Sequence, residues 1–365
     1  MVVELNDLTL VIQTLGRERY VDRQVRILRR SGARVLLIDG GLRGRDSGWR
    51  SRLPDTFSYH HRPGETLPER MRYAASLVVT DFVAVLADDD IFLPSALSTL
   101  VNALRSSPGA SSAIGRTYRF HVSDGEFRGS QRYDFDQEFE TRASHESPVA
   151  YVRHNLTLQY NYYALFRRSA WLQNVEVGFG VDYSSPYVSE VAVRLLGALR
   201  GNGLVRDVLW WLRSEETQPV SHEGWQRSFT FRDWYIDERT RNERETFTRA
   251  LSEVGVSEGL WSATDGPENI RSILDEYVRL NSAPTSRSLL MRSFSLARYF
   301  RFLPNGCRRV LKNVLSIQHA KSLGVGSSMS SIKDQLRRFH IEFQEDELDW
   351  VSQEVLVSNR PALPE

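Results

Sequence analysis

The chain has 365 residues, of which 41% are hydrophobic and 25% are charged, so it can bury a sizeable core and is long enough for two domains. Its formal charge of +1 gives no overall reason to expect a nucleic acid partner. The single cysteine, Cys307, excludes an internal disulfide, and no stretch approaches the roughly 18 apolar residues of a transmembrane helix. We expect a cytoplasmic protein.

Three short apolar runs early in the chain predict buried parallel strands. These runs are 8–12, 35–38 and 82–86, and apolar and polar residues do not alternate in them. Apolar residues at helical spacing lie between the first two runs and on both sides of the third. This alternation predicts an open, doubly wound α/β sheet, whose ligands bind at the carboxyl ends of the strands.

The sequence pattern changes after residue 111. Segments 113–120 and 160–166 are aromatic-rich and partly alternating, which predicts added antiparallel strands. The polar segment 121–154 is interpreted as a mobile loop over a site. From residue 232 onward the pattern is mostly helical, so we expect one domain at 1–228, with the acceptor site in 121–225, and a helical region at 229–365.

Three consecutive acidic residues, Asp88, Asp89 and Asp90, directly follow the third apolar run. Carboxylates crowded at the end of a strand repel one another unless a cation compensates their charge. Mg²⁺ and Mn²⁺ typically bind one or two carboxylates together with substrate phosphates. The run therefore predicts a divalent metal site. The alternative interpretation is a solvated turn, in which Asp90 caps the helix that begins near Pro94.

The order and spacing of three segments resemble the GT-A glycosyltransferases, and among them the family-2-like bacterial enzymes that use a nucleotide-sugar donor. These segments are 13–17, 38–41 and the acidic run, which stands at the position of that family's D-x-D motif. The resemblance covers about residues 5–225. It implies a Rossmann-like open mixed sheet flanked by helices, with a mostly helical C-terminal extension, and a UDP-, dTDP- or GDP-linked sugar as donor.

The resemblance also implies roles for residues around the donor nucleotide. Asp39 would contact the base, Thr14 and Arg17 would line the nucleotide pocket, and Asp88 would lie near the ribose. Asp89 belongs to the same donor-binding group. For Asp39 the alternative is turn chemistry before the two glycines that follow it. For Thr14 and Arg17 the alternative is an ordinary loop.

A metal site is the second implication of the resemblance. Asp90 would hold the Mg²⁺ or Mn²⁺ that bridges the donor diphosphate, and Asp88 would assist. His222 falls where some GT-A enzymes place a third metal ligand, although a lone histidine is more often a surface or core group. A bound cation would neutralise the diphosphate as it leaves, so the leaving group needs no proton.

An inverting enzyme needs one carboxylate that takes the proton from the acceptor hydroxyl. The Glu-Asp pair of the resembled family is absent from the corresponding stretch, 181–195. Glu190 opens an amphipathic helix with Arg194 four residues on, and it is the first candidate for the base. Asp182 is the second candidate. For Glu190 the alternative is a surface ion pair with Arg194, worth only a few tenths of a kcal/mol.

The C-terminal region carries a basic segment at 277–333, which has no acidic residue and in which arginines and lysines are interleaved with leucines and phenylalanines. A basic segment with an apolar face can lie on an anionic membrane surface. The alternative is a solvated helical face that packs on the catalytic domain. No nucleic-acid-binding fold accompanies the segment, so we expect no nucleic acid partner.

Together these features predict a metal-dependent glycosyltransferase. It would move a sugar from a nucleotide diphosphate to a glycan or lipid-linked glycan acceptor, by inversion, in cell-surface polysaccharide synthesis, with retention as the open alternative. The enzyme would be cytoplasmic or peripheral on the inner face of the membrane. A binding module for glycans or nucleotides on a degenerate GT-A scaffold is the other hypothesis, and the missing Glu-Asp pair supports it. The absence of a P-loop and of G-x-G-x-x-G argues against two other nucleotide-binding classes.

Overall fold

The computed structural model describes residues 5–132, 137–159, 161–216, 229–282 and 326–359. In the first of these ranges strands alternate with helices. The elements up to residue 105 are β1 (Leu8–Thr14), α1 (Glu18–Leu28), β2 (Arg34–Asp39), α2 (Ser47–Arg50), β3 (Phe57–His61), α3 (Leu67–Leu77), β4 (Phe82–Ala87), β5 (Ile91–Phe92) and α4 (Pro94–Arg105).

The later elements comprise further strands of the same sheet and a set of helices. They are β6 (Ser112–Ser123), β7 (Glu126–Arg132), α5 (Pro148–Leu158), β8 (Leu165–Arg167), α6 (Arg168–Phe179), α7 (Tyr187–Arg200), β9 (Gly203–Ser214), α8 (Phe231–Ile236), α9 (Arg241–Ser257), α10 (Gly266–Ser282), β10 (Ser327–Ser328), α11 (Met329–Arg338) and α12 (Glu345–Ser358). Short 3₁₀ helices lie at Arg142–Ser144 and Glu238–Thr240.

All ten strands of the described residues belong to one mixed sheet. Eight of them follow the order β10-β7-β6-β8-β4-β1-β2-β3, while β9 pairs with β6 and β5 pairs with β9. The strands β4, β1, β2 and β3 are parallel, and β8 runs antiparallel between β4 and β6. The carboxyl ends of the parallel strands therefore meet at one edge of the sheet. The predicted mixed α/β architecture is confirmed.

The apolar runs predicted as strands form β1, β2 and β4. Apolar and polar residues do not alternate in them because helices cover both faces of the sheet. The strand β3 was not predicted, since its sequence FSYHH buries only Phe57 fully. Segment 113–120 lies in β6, which is antiparallel to β7 and β8 as expected but parallel to β9.

The interpretation of segment 121–154 as a loop was wrong in two places. The strand β6 continues to Ser123 and turns through Asp124 and Gly125 into β7, and α5 begins at Pro148. Both turn residues adopt a positive φ, of 54° and 74°. Such a conformation suits a tight hairpin, and Asp and Gly are the residues that tolerate it best.

Two hydrophobic cores hold these elements together. The first lies around the sheet and includes residues of α11 and α12, such as Leu336 and Val351. The second joins α5 and α7 to the helices α8–α10, with Trp234 and Leu251 at its centre. The predicted boundary near residue 228 lies outside the described residues, and the division into two domains stays a prediction. Of the described helices that follow residue 228, α8–α10 pack against α5 and α7.

The last described segment, 326–359, returns to the sheet. The strand β10 pairs with β7, and α12 packs on α1 through an ion pair between Arg26 and Glu354 at 2.6 Å. Glu347 accepts a hydrogen bond of 2.9 Å from the backbone nitrogen of Ser95 at the start of α4. Most of the predicted basic segment, residues 283–325, lies outside the described residues. Among those described, no helix is long and apolar enough to cross a membrane.

Candidate active site

The acidic run lies at the carboxyl edge of the sheet, where β4 ends at Ala87. The chain turns there, with the backbone nitrogen of Asp90 3.2 Å from the carbonyl oxygen of Ala87, before β5 begins. The side chains of Asp88 and Asp90 are buried. Because β1 and β4 pair with Gln13 opposite Ala87, the end of β1 lies beside the first aspartate of the run.

Helix α1 holds the backbone of the acidic run. Gln24 donates through Nε2 to the carbonyl oxygens of Asp88, at 3.0 Å, and of Asp90, while Arg23 donates to the carbonyl oxygen of Asp89 at 2.6 Å. The side chains of Gln24 and Arg23 are fully buried. These bonds satisfy the carbonyls of the turn, and they leave the three carboxyl groups for other partners.

The carboxyl group of Asp88 has two side-chain partners. It accepts hydrogen bonds of 2.7 Å from Thr14 Oγ1 and from Arg17 Nη1, and Arg17 Nη2 bonds Asp89 Oδ2 at 2.7 Å. Burial raises the pKa of Asp88 to about 6, although the charge of Arg17 and the hydroxyl of Thr14 act in the opposite direction. Thr14 and Arg17 thus lie beside the acids, and their role in a donor pocket stays a prediction.

Asp90 lies on the other side of the turn, against the end of β9. Its Oδ1 accepts a hydrogen bond of 2.8 Å from the backbone nitrogen of Ser214. Burial raises the pKa of Asp90 to about 7, and the negative charge of Asp89 adds to the effect. A nearby cation would favour the ionised carboxylate, so this buried group is suited to a positive ligand.

The described aspartates do not form a complete metal site by themselves. Among the described residues, one group of three acidic or histidine side chains has ligand atoms within 4.8 Å of one another. That group lies elsewhere and does not include Asp88 to Asp90. A divalent cation at Asp90 would therefore take most of its ligands from substrate phosphates, which is how Mg²⁺ is usually bound. His222, the predicted third ligand, lies outside the described residues.

Asp39 joins the loops that follow β1 and β2. Its Oδ1 accepts hydrogen bonds from the backbone nitrogens of Gly16, at 3.2 Å, and Gly41, at 2.8 Å, and its Oδ2 accepts one of 2.6 Å from Tyr59. Burial, together with the bond to Asp39, raises the pKa of Tyr59 to about 12. Asp39 therefore makes the turn contacts that were its alternative interpretation. Its contact with a nucleotide base stays a prediction.

Glu190 lies in the first turn of α7 and is half-buried. The charges of Glu190 and of Asp90 in the acidic run both affect the pKa of one tyrosine, Tyr163. Desolvation raises the pKa of Tyr163 well above its ordinary value, and the charges of Asp90 and Glu190 raise it further. The Tyr163 ring lies 4.8 Å from that of Trp211 in β9, the strand whose end holds Asp90. The charges of the first base candidate and of the predicted metal ligand thus both influence Tyr163.

Asp182 has different surroundings. Its side chain is 51% exposed, and its carboxylate lies 3.5 Å from Arg72 Nη1 in α3. The same arginine also donates to the backbone of Phe179 at the end of α6. The second base candidate therefore lies beside Arg72 of α3, whereas the charge of Glu190 raises the pKa of Tyr163.

The sequence analysis missed Arg23, Gln24, Ser214 and Tyr59. One of the four had a signal in the sequence, since Gln24 stands three residues after Val21 and four before Leu28, which places it on the apolar stripe of α1. A polar residue on a buried helical stripe indicates a specific partner, because a buried polar group must be hydrogen-bonded. Ser214 acts through its backbone, which no side-chain pattern can indicate.

Comparisons with known proteins show what part of the chain is similar to. Residues 9–172 match the model of the family described as Glycosyl transferase family 2. A search of curated proteins returns no significant match. The matched range contains β1 to β4, the loops joined by Asp39, and the acidic run.

Three crystal structures of S. aureus TarS are similar to this chain. TarS 1-349 in complex with UDP is 12% identical over 95% of this chain and 90% of that one, with a TM-score of 0.44. The complex with UDP-GlcNAc is 11% identical over 73% and 71%, with a TM-score of 0.43. TarS itself is 11% identical over 74% of this chain, with a TM-score of 0.41, and the match spans 54%, or about half, of its length. Over residues 9–172 the chain is thus similar to Glycosyl transferase family 2, and its mixed α/β sheet is consistent with that similarity.

Proposed function

We propose that this protein is a glycosyltransferase that transfers a sugar from a UDP-, dTDP- or GDP-linked donor to a glycan or lipid-linked glycan acceptor, in cell-surface polysaccharide synthesis. The observation that carries the proposal is the buried carboxyl group of Asp90, whose raised pKa marks a site suited to a cation at the carboxyl edge of the sheet. The family-2 match across this edge supports it.

The donor side of the proposal uses the residues around the acidic run. Asp90 would hold Mg²⁺ or Mn²⁺ together with the diphosphate, and the cation would supply charge neutralisation for the leaving group. Arg17 is 18% exposed and bridges Asp88 and Asp89, so its guanidinium group lies where it could also meet a phosphate. The loops joined by Asp39 would hold the nucleotide base of the donor.

On the acceptor side, the proposal assigns the role of general base to Glu190. A carboxylate that accepts the proton of the acceptor hydroxyl must lie within reach of the sugar donor. The charges of Glu190 and Asp90 both raise the pKa of Tyr163, which supports this role, while the exposed position of Asp182 beside Arg72 of α3 favours it less. Transfer with inversion follows from a single base of this kind.

We further propose attachment to the inner face of an anionic membrane through the basic segment 277–333. The acid-free run of arginines and lysines beside aromatic residues supports the proposal, since each basic residue near such a surface contributes roughly 1 kcal/mol. Co-sedimentation with anionic vesicles should weaken as salt is added. Equal binding to neutral vesicles would contradict the proposal.

The donor proposal is tested by calorimetric titration of UDP, dTDP and GDP with and without Mn²⁺. One nucleotide should bind much more tightly when Mn²⁺ is present, and Asp90→Ala should remove that difference while Asp182→Asn keeps it. Equal affinities with and without Mn²⁺ in the unmutated protein would refute metal dependence. Donor hydrolysis in the presence of Mn²⁺ separates an enzyme from a degenerate binding module, because a binding module does not turn over.

A further inference from the structure

Two histidines and a glutamate form a cluster of ligand atoms outside the acidic run. Glu140 and His145 lie in the connecting segment (residues 137–147), which leads from β7 towards α5, and His154 lies in α5. One ligand atom from each residue can be chosen so that all three lie within 4.8 Å of one another. Imidazole nitrogen and carboxylate oxygen are common ligands of zinc and related ions.

The distances within the cluster suit a shared metal ion. Glu140 Oε2 lies 3.2 Å from His145 Nε2, and Glu140 Oε1 lies 3.0 Å from His154 Nε2. Ligand atoms at about 2.0–2.1 Å from a tetrahedral zinc ion are about 3.3 Å apart, so these separations are close to those of neighbouring ligands. The cluster could therefore receive an ion after only small movements of the side chains.

The orientation of the imidazoles favours a metal over simple ion pairs. Both Nε2 atoms are buried, yet among the described residues neither makes a hydrogen bond of acceptable geometry, despite the short distances to Glu140. A donor nitrogen would point at its acceptor oxygen, whereas metal ligands all point at a common centre. The two imidazole rings also lie close together, with centroids 5.0 Å apart, and imidazole nitrogens are common metal ligands.

The surrounding structure fixes the ligands in place. The buried side chain of Asn155 accepts a hydrogen bond of 3.0 Å from the backbone nitrogen of Glu140. His145 directly follows the 3₁₀ helix Arg142–Ser144 and contacts the ring of Tyr151 edge-on at 5.7 Å. These partners hold the connecting segment against α5, which limits the reorganisation that metal binding requires.

We propose that Glu140, His145 and His154 bind a divalent transition-metal ion, with Zn²⁺ as the favoured ion, and that the ion pins the connecting segment to α5. Three protein ligands leave a fourth position for water. This site differs in chemistry from the acidic run, because its nitrogen ligands select zinc-like ions whereas carboxylates and phosphates suit Mg²⁺ or Mn²⁺. The proposal does not depend on the donor or the acceptor of the transferase.

Equilibrium dialysis of the full chain with Zn²⁺, combined with thermal unfolding, tests the proposal. The protein should bind one zinc ion at this site, and zinc should raise its melting temperature. Glu140→Gln and His145→Ala should each weaken this binding at least ~10-fold, since even the loss of a partner outside the ligand shell has an effect of that size. Glu140 is exposed, so the Glu140→Gln variant should fold normally.

Two control variants separate this site from others. His121→Ala, in β6, and Asp90→Ala, in the acidic run, should both bind zinc as the unmutated protein does. Co²⁺ should show the intense visible absorption of a tetrahedral site in the unmutated protein and in both controls, but not in His145→Ala. The proposal is overturned if the unmutated protein binds no zinc, or if Glu140→Gln and His145→Ala bind it with unchanged affinity.

Discussion

Replacing Asp90 with asparagine should stabilise the ligand-free protein at pH 8. Burial raises the pKa of Asp90 to about 7, above its ordinary value of 3.8. Between these values the folded protein keeps a proton that the unfolded chain has lost, so stability falls as the pH rises through this window. A pKa difference of about three corresponds to about 4 kcal/mol at about 1.36 kcal/mol per pKa unit, which is an upper bound.

Asparagine has no ionisation cost and keeps an oxygen that can accept the hydrogen bond from Ser214. We therefore expect Asp90→Asn to gain about 2–4 kcal/mol in free energy of unfolding at pH 8 and almost nothing at pH 4. Part of the pH dependence should survive in the variant, because burial also raises the pKa of Asp88 to about 6. Urea unfolding at four pH values between 4 and 8, with the exposed Asp182→Asn as control, measures the difference.

The same substitution should impair metal-dependent nucleotide binding. If Asp90 holds the cation, the variant loses Mn²⁺-dependent binding of the nucleotide diphosphate as it gains stability. In the unmutated protein that binding should strengthen by up to about tenfold per pH unit between pH 5 and 7, because the cation binds the deprotonated carboxylate. A variant that is less stable at pH 8, or a stability difference that does not change with pH, would refute the reasoning.

Three further substitutions test other parts of the molecule. Glu190→Gln should lower turnover by about two to four orders of magnitude with nearly unchanged donor affinity, and Asp182→Asn should not; the reverse pattern in kinetic assays would move the base to Asp182. In Gly41→Ala the new Cβ would lie 2.8 Å from a backbone nitrogen of the neighbouring loop, so the free energy of unfolding measured in urea should fall by about 1–3 kcal/mol. The control Gly109→Ala has open space around the new Cβ, so its free energy of unfolding should change by no more than about 0.5 kcal/mol. Leu251→Ala should cost about 2–5 kcal/mol in the same assay, and a loss below about 1 kcal/mol would contradict the packing of the second core.

Local sequence patterns determined the parts of the fold that depend on neighbouring residues. Strands buried on both faces of a sheet must be apolar throughout, so the runs 8–12, 35–38 and 82–86 indicated β1, β2 and β4. The acidic run could be placed at the carboxyl edge of the sheet, because it directly follows one of these runs. Helix α7, which has Glu190 in its first turn, could be predicted in the same way, from apolar residues at helical spacing.

Only the tertiary structure decided which distant groups meet at the site. The carboxyl group of Asp90 bonds the backbone of Ser214, 124 residues away, and Arg17 bridges Asp88 and Asp89 across more than 70 residues. Residues 326–359 likewise pack into the first core rather than lying apart from the sheet. Such contacts depend on strand order and on the packing of helices against the sheet. Local periodicity records only which face of an element is buried, and it carries no information about the partner that covers that face.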